Sequence, residues 1–169
     1  TSDSQGLFSR IVGFLSSKWM NIFSSRLYTG RDGIVVDRIR ISNWRDLWWE
    51  GMDMFIREEL KKAVLGNYSV TLNEMAREPV GKFESFIEID NETSEDSSVL
   101  EFFSSDRLGL LYDVSSLIHE NGLNIISANI NTELGIANDI FYIQQDGGKV
   151  KDIQTLNILD ALSGILKSC

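Results

Sequence analysis

The chain has one histidine, one proline and one cysteine among its 169 residues. The single cysteine, Cys169, excludes a disulfide within the chain and is typical of a reducing compartment, so we predict a cytoplasmic location. His119 has no cysteine near it in the sequence and is interpreted as a solvated helix residue. Neither a zinc cluster nor a histidine-dependent nucleophilic site can be built from this set. We expect no catalytic residue, no metal and no cofactor, and therefore no enzyme activity of this chain alone.

Long apolar runs and phosphate-binding glycine motifs are also missing. No apolar stretch approaches the roughly 18 residues that are needed to span a bilayer. The sequence contains neither a GxxxxGK[ST] loop nor a GxGxxG turn. A formal net charge of -9 repels phosphate backbones. We therefore expect neither a membrane nor a nucleic acid as a partner.

What the sequence does contain is an internal repeat. Residues 2–8 align with residues 105–111. This offset of 103 residues also aligns Asn21 with Asn124. One inserted residue in the first repeat's turn then aligns Asp37 with Asp139. Because the period is near one hundred residues, the repeated unit is a small domain rather than a turn of a solenoid. We predict two domains in tandem, residues 1–82 and 83–169.

Each repeat has the same predicted order of helix, strand, strand and helix. In the first repeat the helix runs from about Leu7 to Lys18, the strands cover 21–29 and 33–41, and a longer second helix follows. In the second repeat the helix begins near Leu110 and ends at Gly122, and the strands cover 123–132 and 136–144. The apolar stripe predicted for the last helix consists of Ile153, Leu156, Leu159, Leu162, Ile165 and Leu166. The face predicted to be buried on the second helix consists of Trp48, Met52, Phe55, Ile56, Leu60, Ala63 and Val64.

Residues 83–90 and 99–104 both alternate like strands and are joined by a polar link. If 99–104 is the first strand of a βαββαβ unit, no sequence is left after the last helix for the fourth strand. Residues 83–90 can take that place, because the fourth strand of this fold lies antiparallel beside the first. We predict an α+β chain of two ferredoxin-like sandwiches, the second permuted. The first lacks its N-terminal strand, so the chain is expected to be a piece of something longer.

The repeated turn before each first helix is the candidate binding site. Asp-x-x-Gly places backbone N–H groups at the positive end of a helix, where a carboxylate binds favourably. An asparagine follows each helix, and its amide can both donate to and accept from an amino-acid head group. Two plainer interpretations stay open: Asp3 and Asp106 cap helices, and Asn21 and Asn124 shape a turn.

Two other groups of residues favour structural roles. Trp44, Trp48 and Trp49 could stack on a ligand, but their helical spacing favours packing. The acidic residues between Glu88 and Asp96 are interpreted as a solvated surface loop rather than a metal site.

Residues 106–114, 122–128 and 139–143 resemble an ACT domain, a βαββαβ module that commonly binds amino acids between paired copies. The position of residues 87–91 ahead of residues 99–101 narrows the resemblance to particular proteins with ACT domains. This arrangement is similar to the C-terminal tandem ACT region of the bifunctional uridylyltransferase/uridylyl-removing enzymes that modify the nitrogen regulatory protein PII, and to plant ACT-repeat proteins. The usual proline of the turn is Leu108 here, and Ser4-Gln5 replaces Arg-Pro in the first repeat.

The resemblance implies a regulatory module that binds a small amino acid, with glutamine as the expected ligand. It also implies upstream nucleotidyltransferase and HD phosphohydrolase domains as partners, and a homodimer formed through ACT pairing. The predicted ligand-binding residues are Asp106, Gly109, Leu110, Leu111, Asn124 and Ile125, with their equivalents Asp3, Gly6, Leu7, Asn21 and Ile22. The alternatives are a non-catalytic pairing module with vestigial sites and a stand-alone amino-acid sensor.

Overall fold

The computed structural model describes residues 6–30, 32–43, 51–72, 79 and 81–167. Its elements are α1 Leu7–Ser17, β1 Met20–Thr29, β2 Val35–Asn43, α2 Met52–Val64, β3 Phe86–Asp90, β4 Ser98–Ser105, α3 Leu110–Glu120, β5 Asn124–Glu133, β6 Ile136–Gln144 and α4 Asp152–Lys167. The predicted roles of Asp3, Trp44, Trp48 and Trp49 fall outside the described residues.

The strands form one six-stranded antiparallel sheet in the order β2-β1-β5-β6-β4-β3. Strand β3 precedes β4 in sequence and pairs with it from Phe86 opposite Phe103 to Asp90 opposite Val99. The pairing that the permuted βαββαβ prediction requires is therefore confirmed. The α+β class is confirmed as well, and the order of β5, β6, β4 and β3 is compatible with a ferredoxin-like arrangement.

The internal repeat is visible in the details of strand pairing. The register of β1 with β2 shifts between Ile22 and Ser24, and the register of β5 with β6 shifts between Ile125 and Ser127. These two irregularities are related by the offset of 103. Because each adds a residue to one strand of a pair, it marks the same local bend in both repeats.

The two repeats are joined edge to edge through β1 and β5. Their pairing runs from Ser24 opposite Asn131 to Tyr28 opposite Ser127, and its centre is Arg26 opposite Asn129. Arg26 and Asn129 are also equivalent positions of the repeat, so a pseudo-twofold axis passes between them. The division at residue 82 stays a prediction, since both repeats share one sheet.

All four helices contribute to the hydrophobic core, which is shared by the two repeats. Helix α1 packs against α3 across the pseudo-twofold axis. The ring of Phe8 from the first repeat meets Phe141 from the second edge to face, with centroids 6.3 Å apart. Separating the repeats would therefore expose apolar surface on both.

Two predicted helix faces differ from those observed. In α4 the buried residues are Ile158, Leu162 and Leu166, while Ile153 is 75% exposed and Leu156 is 68% exposed. Ile153 and Leu162 are nine residues apart, which is two and a half helical turns, so they lie on opposite sides of α4. Phe55 of α2 is 42% exposed, although it was expected to be buried.

Within the described residues, no helix is both long enough and apolar enough to cross a membrane.

Candidate functional site

The turn before the first helix of each repeat lies against the strand start of the other repeat. Two small cavities mark these junctions. Cavity A is lined by Gly6, Leu7 and Phe8 of the first repeat and by Asn124 and Ile125 of the second. Cavity B is lined by Asp106, Gly109, Leu110 and Leu111 of the second repeat and by Asn21 and Ile22 of the first.

The predicted site residues are thus brought together, but in a crossed combination. The sequence prediction grouped Asp106, Gly109, Leu110 and Leu111 with Asn124 and Ile125 of the same repeat. In the structure their neighbours in cavity B are Asn21 and Ile22. Gly6 and Leu7 correspondingly face Asn124 and Ile125. Each junction is therefore an interface between repeats.

Both first helices begin at a glycine in the left-handed region, Gly6 with φ 73° and Gly109 with φ 82°. Among the described residues, neither α1 nor α3 has a side-chain hydrogen bond that caps its N-terminus. The N–H of Leu110 donates to the carbonyl of Arg107 at 3.1 Å, which satisfies one of the first-turn donors of α3. Since a helix leaves its first four N–H groups without partners inside the helix, each cavity lies beside a positive helix end. The plainer interpretation of Asp106 as the cap of α3 is wrong.

In cavity B, Asp106 instead bonds to the other repeat. The side-chain amide of Asn21 donates to Oδ2 of Asp106 at 2.9 Å, while Oδ1 of Asn21 accepts from the N–H of Ile22 at 3.1 Å. Asn21 therefore bonds to the next residue of its own strand and also holds the opposite turn. Next to Asp106, the Nη2 atom of Arg107 forms an ion pair with Oδ2 of Asp113 at 2.7 Å. This ion pair ties the turn to the first turn of α3.

Two buried carboxyls face cavity B. Burial raises the pKa of Asp106, against the lowering effects of the Asn21 hydrogen bond and of Arg107. The pKa of Asp139 is raised to about 8, mainly by burial. A hydrogen bond from the N–H of Asn131 lowers this pKa, and the nearby Asp106 raises it. Asp139 is therefore largely protonated at neutral pH. Its neutral carboxyl can donate as well as accept a hydrogen bond.

Cavity A differs from cavity B in its polar groups. His119 and Ser115 of α3 line cavity A. A Cβ placed on Gly6 would lie 2.7 Å from Cδ2 of His119, so the imidazole covers the Gly6 turn. His119 is therefore a half-buried residue of the junction rather than a solvated helix residue. Its equivalent in the first repeat is Ser16, which lines cavity B.

Both cavities are closed in this structure. Each has a volume of about 10 Å³, which is room for roughly one water molecule. Beside cavity B, Leu72 covers the Gly109 turn, because a Cβ on Gly109 would lie 2.6 Å from Cδ1 of Leu72. A ligand of amino-acid size would have to displace Leu72 from one junction or His119 from the other.

Sequence reasoning missed His119, Leu72 and Asp139 as residues of these junctions. Asp139 did give a signal, because it alternates with Ala137 and Phe141 on the inward face of β6 and matches Asp37 of the first repeat. His119 and Leu72 gave none. Their positions depend on how the repeats pack, which no spacing within one repeat reveals.

No protein-family model matches the chain, and no solved structure matches it. The chain is similar to a region of proteins named bifunctional uridylyltransferase/uridylyl-removing enzyme. It is 30% identical over 168 residues to the one from Caulobacter vibrioides, 28% over 163 residues to the one from Haemophilus influenzae and 32% over 149 residues to the one from a Bradyrhizobium strain.

These alignments cover 94%, 93% and 83% of this chain. They cover 18%, 18% and 16% of the respective relatives, so the chain spans less than a fifth of their length. The resemblance to this class of enzyme that the sequence indicated is thus supported across nearly the whole chain. The assignment of the repeats as ACT domains stays a prediction.

Proposed function

We propose that this chain is the regulatory, amino-acid-binding module of a uridylyltransferase/uridylyl-removing enzyme of nitrogen regulation, and that glutamine is its ligand. The observation that carries this proposal is the pair of crossed junctions. Each brings a helix N-terminus of one repeat, for which the described part of the chain supplies no side-chain cap, against an asparagine of the other. The similarity to a region of such enzymes supports the same assignment.

A free amino acid would fit the chemistry of cavity B at both ends of its head group. Its carboxylate would accept from the first-turn N–H groups of α3. Its ammonium would donate to the Asp106 carboxylate, in competition with the Asn21 amide that holds Asp106 at 2.9 Å. The amide of a glutamine side chain would in turn find donors and acceptors at Asp139 and Thr132, which also line this cavity.

Occupancy of a junction between repeats gives a direct route to regulation. A ligand shifts a conformational equilibrium only through its differential affinity for the two states. Here the ligand would displace His119 or Leu72 and so favour a different packing of α1, α3 and the segment at Leu72. The catalytic domains that respond would lie in the part of the enzyme that this chain does not cover.

A second candidate function, a pairing module with vestigial sites, is favoured by the closed cavities. Each junction is filled by side chains of the chain itself. In this function the turns only join the repeats, and no amino acid would bind.

Calorimetric titration with glutamine, glutamate and other amino acids distinguishes the two functions. We expect saturable binding of glutamine and a rise in unfolding temperature as glutamine exceeds its dissociation constant. Absence of binding by every amino acid would contradict the sensing function and leave the pairing function.

A matched pair of glycine variants tests whether binding takes place at cavity B. Gly109→Ala and Gly122→Ala both force a residue with a Cβ into the left-handed region, at φ 82° and 74°, which costs roughly 1–2 kcal/mol. Only at Gly109 would the Cβ meet another residue, since nothing lies within 4 Å of it at Gly122. We expect Gly109→Ala alone to lose glutamine binding. Equal losses in both variants would show that the effect is one of stability.

A further inference from the structure

The face of the sheet turned away from the helices carries an ordered row of charges. Paired residues of neighbouring strands point to the same face, so the register defines rows across the sheet. The central row consists of Arg38, Arg26, Asn129, Ile140, Glu101 and Glu88, in the strand order β2-β1-β5-β6-β4-β3. One end of this row is basic, the middle is neutral and the other end is acidic. We call these six residues the charge row.

Each end of the charge row sets two like charges directly opposite one another. Arg26 faces Arg38, and Glu88 faces Glu101. Such pairs destabilise a sheet. Within the described part of the chain, none of these four side chains takes part in an ion pair. Their placement therefore does not serve the stability of the single chain.

The two ends cannot neutralise each other within one molecule. Arg26 on β1 and Glu101 on β4 are three strands apart, a distance of about 14 Å at the usual strand spacing. The basic end is also an open groove of about 560 Å³, which is bordered by Arg26, Arg38 and Arg40 and by several asparagines. Both ends are thus available to another molecule.

We propose that this sheet face binds the same face of a second copy of the chain, about a twofold axis parallel to the strands. This rotation reverses the order of the strands. Arg38 and Arg26 of each copy then face Glu88 and Glu101 of the other, and the neutral Asn129 and Ile140 meet at the centre. The interface is isologous, closes on itself and makes four oppositely charged contacts.

The charge pattern selects both the occupant and its orientation. A twofold axis perpendicular to the strands would place arginine over arginine, which opposes association. An unrelated acidic partner would cover only the basic end and leave Glu88 and Glu101 unpaired. A second copy accounts for both ends with one arrangement, and aligned packing of two twisted sheets is a common geometry.

The available area predicts a weak dimer. Six strands span about 24 Å, and the charge row with one row on each side of it spans about 20 Å, so each copy contributes roughly 500 Å². The total of roughly 1,000 Å² is at the lower limit for specific interfaces. Because the contacts are ionic and exposed, the dimer is expected to be concentration-dependent and weakened by salt.

Sedimentation velocity over a range of protein and salt concentrations tests this proposal with two charge-reversal variants of the whole chain. Arg26→Glu with Arg38→Glu makes both ends of the charge row acidic, and Glu88→Arg with Glu101→Arg makes both ends basic. In each variant the two exchanged residues still carry like charges opposite one another on neighbouring strands. The strand pairing within the chain is therefore little changed. We expect the dimer dissociation constant of each variant alone to rise roughly tenfold or more.

A one-to-one mixture of the two variants should associate again, since an acidic face then meets a basic face. The matched controls are Arg57→Glu with Lys151→Glu and Glu92→Arg with Glu95→Arg, which make the same charge changes at other exposed positions. The controls should dimerise like the parent chain. A parent that stays monomeric, reversal variants that dimerise normally, or a mixture that does not associate would each overturn the proposal.

Discussion

The side-chain amide of Asn21 donates to Oδ2 of Asp106 across 2.9 Å, between residues 85 positions apart in the chain. Asn21 is the second residue of β1 in the first repeat, and Asp106 begins the turn before α3 of the second. Asp106 is 5% exposed, so its carboxylate depends on partners within the protein. This hydrogen bond is therefore a polar link between the two repeats at cavity B.

Asn21→Ala should destabilise the chain by about 1–3 kcal/mol, because it leaves a buried carboxylate without one of its donors. The pKa of Asp106 should rise further, since the Asn21 hydrogen bond lowers it. Chemical denaturation measures the loss, and Asn67→Ala at an exposed position is the control. A double-mutant cycle with Asp106→Ala should give a coupling of about 0.5–3 kcal/mol. A coupling of zero would mean that the bond does not join the repeats in solution.

Asp139 should make the free energy of unfolding fall as pH rises from about 4 to about 8. Its pKa is about 8 in the folded chain against an ordinary value of 3.8. The folded chain thus holds a proton that the unfolded chain releases, and the stabilisation is complete below pH 4 and lost as pH passes 8. The pKa values of Asp106 and Asp37 are also raised, so these two groups likewise lower the free energy of unfolding as pH rises.

Asp139→Asn should flatten this dependence and raise stability at pH 8 by at least ~2 kcal/mol, because the amide stays neutral at every pH. The amide oxygen can still accept from the N–H of Asn131, which bonds to Oδ1 at 3.1 Å. Denaturation at several pH values measures the slope, with the exposed Asp160→Asn as the control. An unchanged slope in Asp139→Asn would show that other groups set the pH dependence.

Much of the fold could be predicted from the sequence because its signals are local. The strand Ile136–Gln144 was predicted with its observed bounds, and the pairing of β3 with β4 followed from the lack of any other place for a fourth strand. The face of α4 was predicted wrongly in part. Its apolar residues lie on more than one side of the helix, and only packing selects Ile158 over Ile153.

The crossed junctions could not be predicted. An internal repeat identifies equivalent residues, but it does not say whether a turn contacts the asparagine of its own repeat or that of the other. Asn21 and Asn124 are equivalent, so either could have faced Asp106. The choice depends on the antiparallel pairing of β1 with β5 and on its centre at Arg26 and Asn129. That pairing depends on free strand edges and on the packing of α1 against α3, neither of which has a periodic signal.

If an amino acid binds at the junctions, removal of the covering side chains should strengthen its binding. His119→Ala should uncover the Gly6 turn in cavity A, and Leu72→Ala should uncover the Gly109 turn in cavity B. The ligand would no longer have to displace a packed side chain, so we expect roughly fivefold tighter binding at the altered site. Calorimetric titration measures this. The neighbouring Glu120→Ala and Thr71→Ala, at exposed positions, are the controls. Weaker binding would show that His119 and Leu72 hold the ligand instead of excluding it.

Residues 83–169 alone should fold and then form a homodimer through β5. This segment contains β3 to β6 with α3 and α4, the complete four-strand part of the sheet. Without the first repeat, β5 loses its partner β1 along residues 127–131 and becomes a free edge, which invites pairing with another strand. The pseudo-twofold axis at Asn129 would become a true twofold axis between two copies of β5.

Light scattering coupled to size-exclusion chromatography measures the mass of this fragment, and hydrogen exchange reports whether the backbone of 127–131 is protected. We expect a dimer with protection at these residues, because β5 of a second fragment can supply the hydrogen bonds that β1 makes in the whole chain. A folded monomer with fast exchange at 127–131 would contradict the pairing. An unfolded fragment would contradict the division at residue 82 and would mean that the shared core, including the contact of Phe8 with Phe141, is needed for either repeat to fold.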